Sequence, residues 1–295
     1  MRGLRVVAVA LLLVTAGCGG LGGSPETATP DGTAAETADD AGGDTEALAV
    51  PGVEDGRLTD SAALVDAHRR ALTNDSLESR LRSNLTQRVP TSSNTTRLVE
   101  TTITQRVVAE RGARPYRYRR TDRATGTTFQ AWGNDTVQAV RGLQGDQVVT
   151  RRVGQPESPA AITTARPLAE YLSLGEYRVV ERTTRDGERL AVLRAEGLTV
   201  EDDSGLFVRG SENVSNFSAT AVVDGDGRIR SLSLTADYTI DGEAATVDLV
   251  YEVVRIGGVS FEQPGWAADI IAASGGDSEN RTAAARGTAP AKHNG

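Results

Sequence analysis

The chain has 295 residues, 38% of them apolar, 4% aromatic and 24% charged, with a formal charge of −8 and a single lysine, Lys292. Clustered Lys and Arg are what a nucleic-acid binder requires; here the arginines are spread among 40 acidic residues, so a nucleic-acid partner is excluded as an expectation. With few Phe, Trp and Tyr for its length, the core must be built mainly of Val, Leu, Ile and Ala.

The N-terminus reads as an address. Arg2 and Arg5 precede the apolar run Val6 to Val14, which is too short for a membrane span of about 18 to 20 residues. A charged start, a short apolar run and small residues behind it predict a signal peptide over 1–17. Cys18, the only cysteine, follows Thr15-Ala16-Gly17. This resembles a lipobox, with Thr15 where Leu is usual, and the resemblance implies that the Cys18 thiol carries a lipid and becomes the mature N-terminus. The leader holds two arginines and no acid, so its removal takes the net charge from −8 to −10.

Residues 18–57 are rich in Gly, Thr, Ala, Pro, Asp and Glu and cannot bury enough apolar surface to offset the entropy of ordering them. They are expected to form an acidic tether with a mean reach on the order of 35 Å. A single folded domain is expected over 58–273, and a second disordered stretch over 274–295.

Within the domain, Thr59, Asp60 or Ser61 can cap a helix carrying Leu64, Val65, His68 and Leu72 on one face, stopped at Asn74-Asp75. Leu77, Leu81, Leu85 and Val89 are read as a strand. Val99, Ile103, Val107 and Ala109 alternate with polar residues in the next, and Tyr116 and Tyr118 alternate with Arg117 and Arg119. Strands over Phe129 to Trp132 and Val137 to Val140 flank Gly133-Asn134-Asp135, and another follows Gly145-Asp146. Ser158-Pro159 and Pro167 each start a short helix, because Pro167 forbids one continuous helix.

Asp186-Gly187 and Asp224-Gly225-Asp226-Gly227 mark hairpins, and Asp241-Gly242 fixes a third. Its two-residue turn sets Leu232, Leu234, Ala236 and Tyr238 opposite Tyr251, Leu249, Val247 and Ala245, so both apolar stripes share one face. Trp266 and Ile270 stand at helical spacing behind Pro264-Gly265. The expected fold is α+β: a large antiparallel sheet, apolar on one face, packed on a few helices.

Conventional chemistry is poorly supplied. His68 and His293 are the only histidines, and His68 on an apolar helix face reads as a packed core residue. No metal, no cofactor and no catalytic residue is predicted. Asp224 and Asp226 resemble the start of a calcium loop, but no later acidic ligand follows Gly227. Asp202-Asp203 reads as a solvated loop. Asn74, Asn84, Asn94, Asn134, Asn213, Asn216 and Asn280 each head an Asn-X-Ser/Thr sequon and are candidate glycosylation sites.

The Thr-Ala-Gly-Cys segment, the acidic Thr-rich tether, the Leu64-Val65-Asp66-Ala67-His68 helix and the Arg- and Thr-rich strands resemble uncharacterised lipoproteins of haloarchaea. Near-total replacement of Lys by Arg in an acidic chain fits that source. In element order the domain is similar to the LolA and LppX/LprG lipoprotein carriers, whose curved half-barrel sheet wraps around helices and holds an acyl chain. The resemblance implies a non-catalytic cell-surface lipoprotein, anchored to the membrane through Cys18, that binds a lipid or other apolar ligand. The face of Leu232, Leu234, Tyr238, Val247, Leu249 and Tyr251 is the candidate ligand surface. The alternative is an envelope protein that binds another protein or the surface layer, suggested by the tether and the sequons.

Overall fold

The computed structural model describes residues 48–91, 95–200 and 205–274. Strands β1 (Val53–Glu54) and β2 (Arg57–Leu58) are followed by helix α1 (Ser61–Thr73) and a meander of β3 (Leu77–Pro90), β4 (Thr96–Ala109), β5 (Tyr116–Asp122), β6 (Thr127–Gly133), β7 (Gln138–Gln144) and β8 (Gln147–Gly154). Helices α2 (Pro159–Ile162) and α3 (Ala165–Leu172) lead to a second meander: β9 (Arg178–Arg185), β10 (Glu188–Glu196), β11 (Ser211–Asp224), β12 (Ile229–Ile240) and β13 (Glu243–Ile256). A last helix, α4, covers 265–274.

All the strands join one 13-stranded sheet in the order β1-β2-β9-β10-β11-β12-β13-β3-β4-β5-β6-β7-β8. Every pairing is antiparallel, and the curved sheet stays open. The two meanders meet where β13 pairs with β3. An open sheet leaves two edges exposed to further pairing. One is a two-residue strand, and the other, β8, carries exposed Arg151 and Arg152.

The hairpin at Asp241-Gly242 has the register that its turn dictates: Leu232 faces Tyr251, Leu234 faces Leu249, Ala236 faces Val247 and Tyr238 faces Ala245. These side chains all point to the inner face, where the main core lies with Leu64, Leu72, Leu168 and Leu172 from the helices. Tyr116 and Tyr118 turn inward and Arg117 and Arg119 outward, as their alternation predicts. Helix α1 begins where expected, with the Asp60 carboxylate accepting the Ala63 N–H at 2.9 Å.

Two expectations need correction. The tether was expected to extend to residue 57, yet Leu48 and Val50 are buried in the main core, and residues 53–58 add two strands to the sheet edge. The Leu58 N–H bonds the Tyr177 carbonyl at 2.9 Å, and the Val179 N–H bonds the Gly56 carbonyl at 2.8 Å. Scattered Leu and Val in an acidic, Gly-rich stretch hid this segment, because its order comes from contacts made far along the chain. The second short helix starts at Ala165, not at Pro167. Thr164, in the left-handed region at φ 61°, makes the break, and Pro167 sits in the first turn, where a missing N–H costs no helical bond.

Gly133 shows why one strand residue lacks a side chain. A Cβ there would lie 2.6 Å from the ring of Tyr116, its cross-strand partner, which is fully buried. The Asp224–Gly227 turn is also a packing device, since a Cβ on Gly227 would lie 2.8 Å from the Ala67 Cβ of α1 and 3.1 Å from Pro51.

Candidate functional site

The predicted ligand face is filled by the protein itself. Leu232, Leu234, Tyr238, Val247, Leu249 and Tyr251 are all buried in the main core. The Tyr251 hydroxyl lies 3.3 Å from His68 Nε2 of α1. Tyr238 packs against Phe207, with ring centroids 5.9 Å apart, and its hydroxyl donates to the Thr86 carbonyl at 2.6 Å. So regular an apolar stripe gains most from burial, and the chain's own helices and loops occupy it.

His68 ties that cover down. Its Nδ1 accepts the Ile229 N–H of β12 at 3.0 Å, so the proton sits on Nε2, which faces the Thr163 carbonyl at 3.2 Å. One buried imidazole thereby links α1, the end of α2 and the sheet. Burial is the largest influence on its pKa, which is lowered to about 4; the Thr163 bond opposes this, and Arg228 adds to it. The neutral ring fits these bonds, because a protonated Nδ1 could not accept from Ile229.

Open apolar surface lies further along the same inner face. A groove of about 350 Å³ runs between α2, α3 and strands β5 to β7. Its floor is a cross-strand row, Tyr118 opposite Ala131 and Ala131 opposite Val140, with Phe129 two residues along. Ala161, Ile162 and Pro167 form its helical wall, and Gln105, Arg152, Glu157 and Arg166 bring polar groups to it. Phe129 is 44% exposed, an unusual state for so large an apolar side chain. The Tyr118 hydroxyl donates to Gln105 Oε1 at 3.3 Å, and burial raises its pKa, so this phenol stays neutral and leaves the floor uncharged. The volume is at the small end of the range for ligand sites.

The sequence reading found these strands but not this groove. Phe129, Ala131, Tyr118 and Val140 lie on separate strands, and only the register aligns them. The available signal was the shared parity of Tyr118 and the aromatic strand beside it.

Other predicted residues are scattered. Asn74 caps the end of α1, and Asn84 lies on β3 with Nδ2 3.4 Å from Asp248 Oδ1. Asn134 accepts the Thr136 and Val137 N–H groups at 2.9 Å each, which holds the β6–β7 turn. Asn213 and Asn216 take φ of 53° and 50° beside irregularities in the β11–β12 register. Asparagine tolerates that region better than most residues, so each has a backbone role independent of any sugar. Cys18, Asn94, Asn280, His293 and Asp202-Asp203 lie outside the described residues. The Asp224 carboxylate is buried and accepts the Asp226 and Arg228 N–H groups at 3.0 and 2.9 Å, with Arg228 and Arg230 beside it. Among the described residues no group of His, Cys, Asp and Glu could hold a metal ion.

Fold and groove define a class: an open, curved antiparallel sheet whose inner face packs on helices and keeps an apolar trough beside α2 and α3. The chain belongs to DUF7537, a family of unknown function whose model matches residues 3–270. No curated protein matches it. Among solved structures it is similar to a LolA superfamily protein of Nitrosomonas europaea, at 10% identity and a TM-score of 0.24, covering 68% of this chain and 94% of that one. It is also similar to LprF of Mycobacterium bovis, at 9% identity and a TM-score of 0.28, covering 69% and 96%. For lipoprotein LppX of Mycobacterium tuberculosis the identity is 11% and the TM-score 0.25, covering 69% and 100%. At such scores nothing about ligand or partner passes from these proteins to this one.

Proposed function

We propose that this protein is a non-catalytic, lipid-anchored binder of an apolar chain, held outside the cytoplasmic membrane by acylated Cys18. The observation that carries the binding reading is Phe129, left exposed in an apolar trough between sheet and helices. An acyl or isoprenoid chain laid along Tyr118, Ala131 and Val140 would cover it. The polar groups contributed by Arg152, Glu157 and Arg166 supply places for a head group.

Titration of the full chain with the apolar dye N-phenyl-1-naphthylamine tests this. Phe129→Asp removes apolar contact and places a charge in the trough, and should weaken dye binding by roughly tenfold or more with an unchanged circular dichroism spectrum. Undiminished dye binding by that variant would remove the groove from the proposal.

The anchor is supported by the charged start, the nine-residue apolar run Val6 to Val14 and the small residues before Cys18. Among the described residues no helix is long and apolar enough to cross a membrane. Cys18→Ser should shift the protein from the membrane fraction to the soluble fraction on cell fractionation. If the variant stayed as firmly membrane-bound, the attachment would have to lie elsewhere.

A further inference from the structure

The outer face of the sheet carries a feature that the inner groove does not explain. Its register places Arg80 opposite Arg106, Arg106 opposite Arg119, Arg119 opposite Gln130, Gln130 opposite Arg141, and Arg141 opposite Arg151. A single cross-strand row from β3 to β8 is therefore arginine at every strand but one. Like charges directly opposite one another destabilise a sheet, and a chain of net charge −8 has no surplus of cations that forces such a row.

Neutralisation within the protein is partial. The buried Glu78 carboxylate takes Arg80 Nη2 at 2.9 Å and Arg106 Nε at 3.0 Å, and hydrogen bonding from Arg106 lowers its pKa. Glu252 stands opposite Arg80 on its other side. Arg141 bonds Gln130 at 2.8 Å and stacks 4.6 Å from the Trp266 ring, with Asp269 also on its groove. Among the described residues Arg119, Arg151 and Arg255 form no ion pair.

Over this row the segment entering α4 forms a groove of about 520 Å³. Arg106, Arg119 and Arg255 contribute to its lining, and Val108, Phe261 and Trp266 supply apolar surface. Arg117 fixes the lip, with its guanidinium 4.7 Å from the Phe261 ring and Nη2 donating to the Glu262 carbonyl.

We infer that this groove binds a phosphate-bearing amphiphile, with the phosphate on Arg106, Arg119 and Arg255 and the apolar part against Phe261 and Trp266. Charge complementarity selects the anion, since guanidinium groups match phosphate oxygens in geometry. The apolar wall selects an ester of a hydrophobic body over a bare ion. The site is separate from the inner trough and stands whether or not that trough holds a ligand.

Calorimetric titration of the full chain with dihexanoylphosphatidic acid, dihexanoylphosphatidylcholine and inorganic phosphate tests the chemistry. The phosphatidic acid should bind most tightly, and added salt should weaken it. The double variant Arg119→Gln/Arg255→Gln should lose about tenfold or more in affinity, while Arg185→Gln on β9 should leave it unchanged. Sedimentation with phosphatidylglycerol vesicles, against phosphatidylcholine vesicles, separates the sources. Arginine-dependent capture by the anionic vesicles assigns a membrane headgroup, and binding of the short-chain lipid without capture assigns a free amphiphile. Equal affinity for inorganic phosphate or for the choline lipid, or full binding by the double variant, overturns the inference.

Discussion

Replacing His68 with alanine should destabilise the folded domain by about 3–5 kcal/mol. The variant leaves a cavity beneath α1 and strands the Ile229 N–H without its acceptor, and each adds to the loss. Wild-type stability should also depend on pH through this ring. Above pH 6.5 the imidazole is neutral folded and unfolded, and its contribution is complete. As the pH falls from 6.5 towards 4, the unfolded chain takes up a proton that the folded protein refuses, and stability declines by about 3 kcal/mol in total. Below pH 4 the folded ring protonates too, and this loss levels off. Glu78, which Arg106 and Arg80 hold low, loses its contribution only as the pH falls below its unfolded value of 4.5, so the window between 4.5 and 6.5 isolates the histidine. His68→Gln can accept from Ile229 and donate to Thr163 but cannot titrate. Denaturant melts across this window should show a slope in wild type and none in His68→Gln. An equal slope in both would assign the acid sensitivity to other groups.

Gly52→Ala should detach the N-terminal edge of the sheet. Gly52 has φ 75°, and a Cβ there would lie 2.0 Å from the Asp60 carbonyl oxygen, a backbone atom that no rotamer change can move aside. Its own carbonyl accepts the Thr59 and Asp60 N–H groups at 2.9 and 3.0 Å, immediately before α1. Strain and overpacking together cost about 3 kcal/mol, comparable to the burial of Leu48 and Val50, which this segment contributes. Local release of 48–58 is thus the expected result. Hydrogen exchange should show faster turnover at the Leu58 and Val179 amides, which bond Tyr177 and Gly56, with the β12 and β13 amides still protected. Exchange unchanged at Leu58 and Val179 would mean that the edge is held without this turn.

Much of the fold was legible because its information is local. Alternation in β12 and β13 and the Asp241-Gly242 turn together set strand, face and register within a few dozen residues. The Asp60 cap and the spacing of Leu64, Val65, His68 and Leu72 did the same for α1. What remained hidden depends on partners distant in sequence. Leu48 and Val50 look like tether residues until the core around α1 and the Asp224–Gly227 turn exists to receive them. The open groove stayed hidden for a related reason: the most regular apolar face is the one that folding covers, and the surface left open is assembled from single residues on β5, β6 and β7. The arginine row was equally invisible, since each Arg in isolation reads as an ordinary solvent-facing position.

The junction of the two meanders has a bearing on how the molecule assembles. Paired strands within each meander follow one another directly in the chain, whereas Asn84 and Asp248, which face each other where β3 meets β13, stand 164 residues apart. Closing so long a loop costs more entropy than closing a hairpin, and contacts of that range slow folding. The β3–β13 seam, with His68 against Tyr251 beside it, is thus the pairing whose closure costs the sheet the most chain entropy.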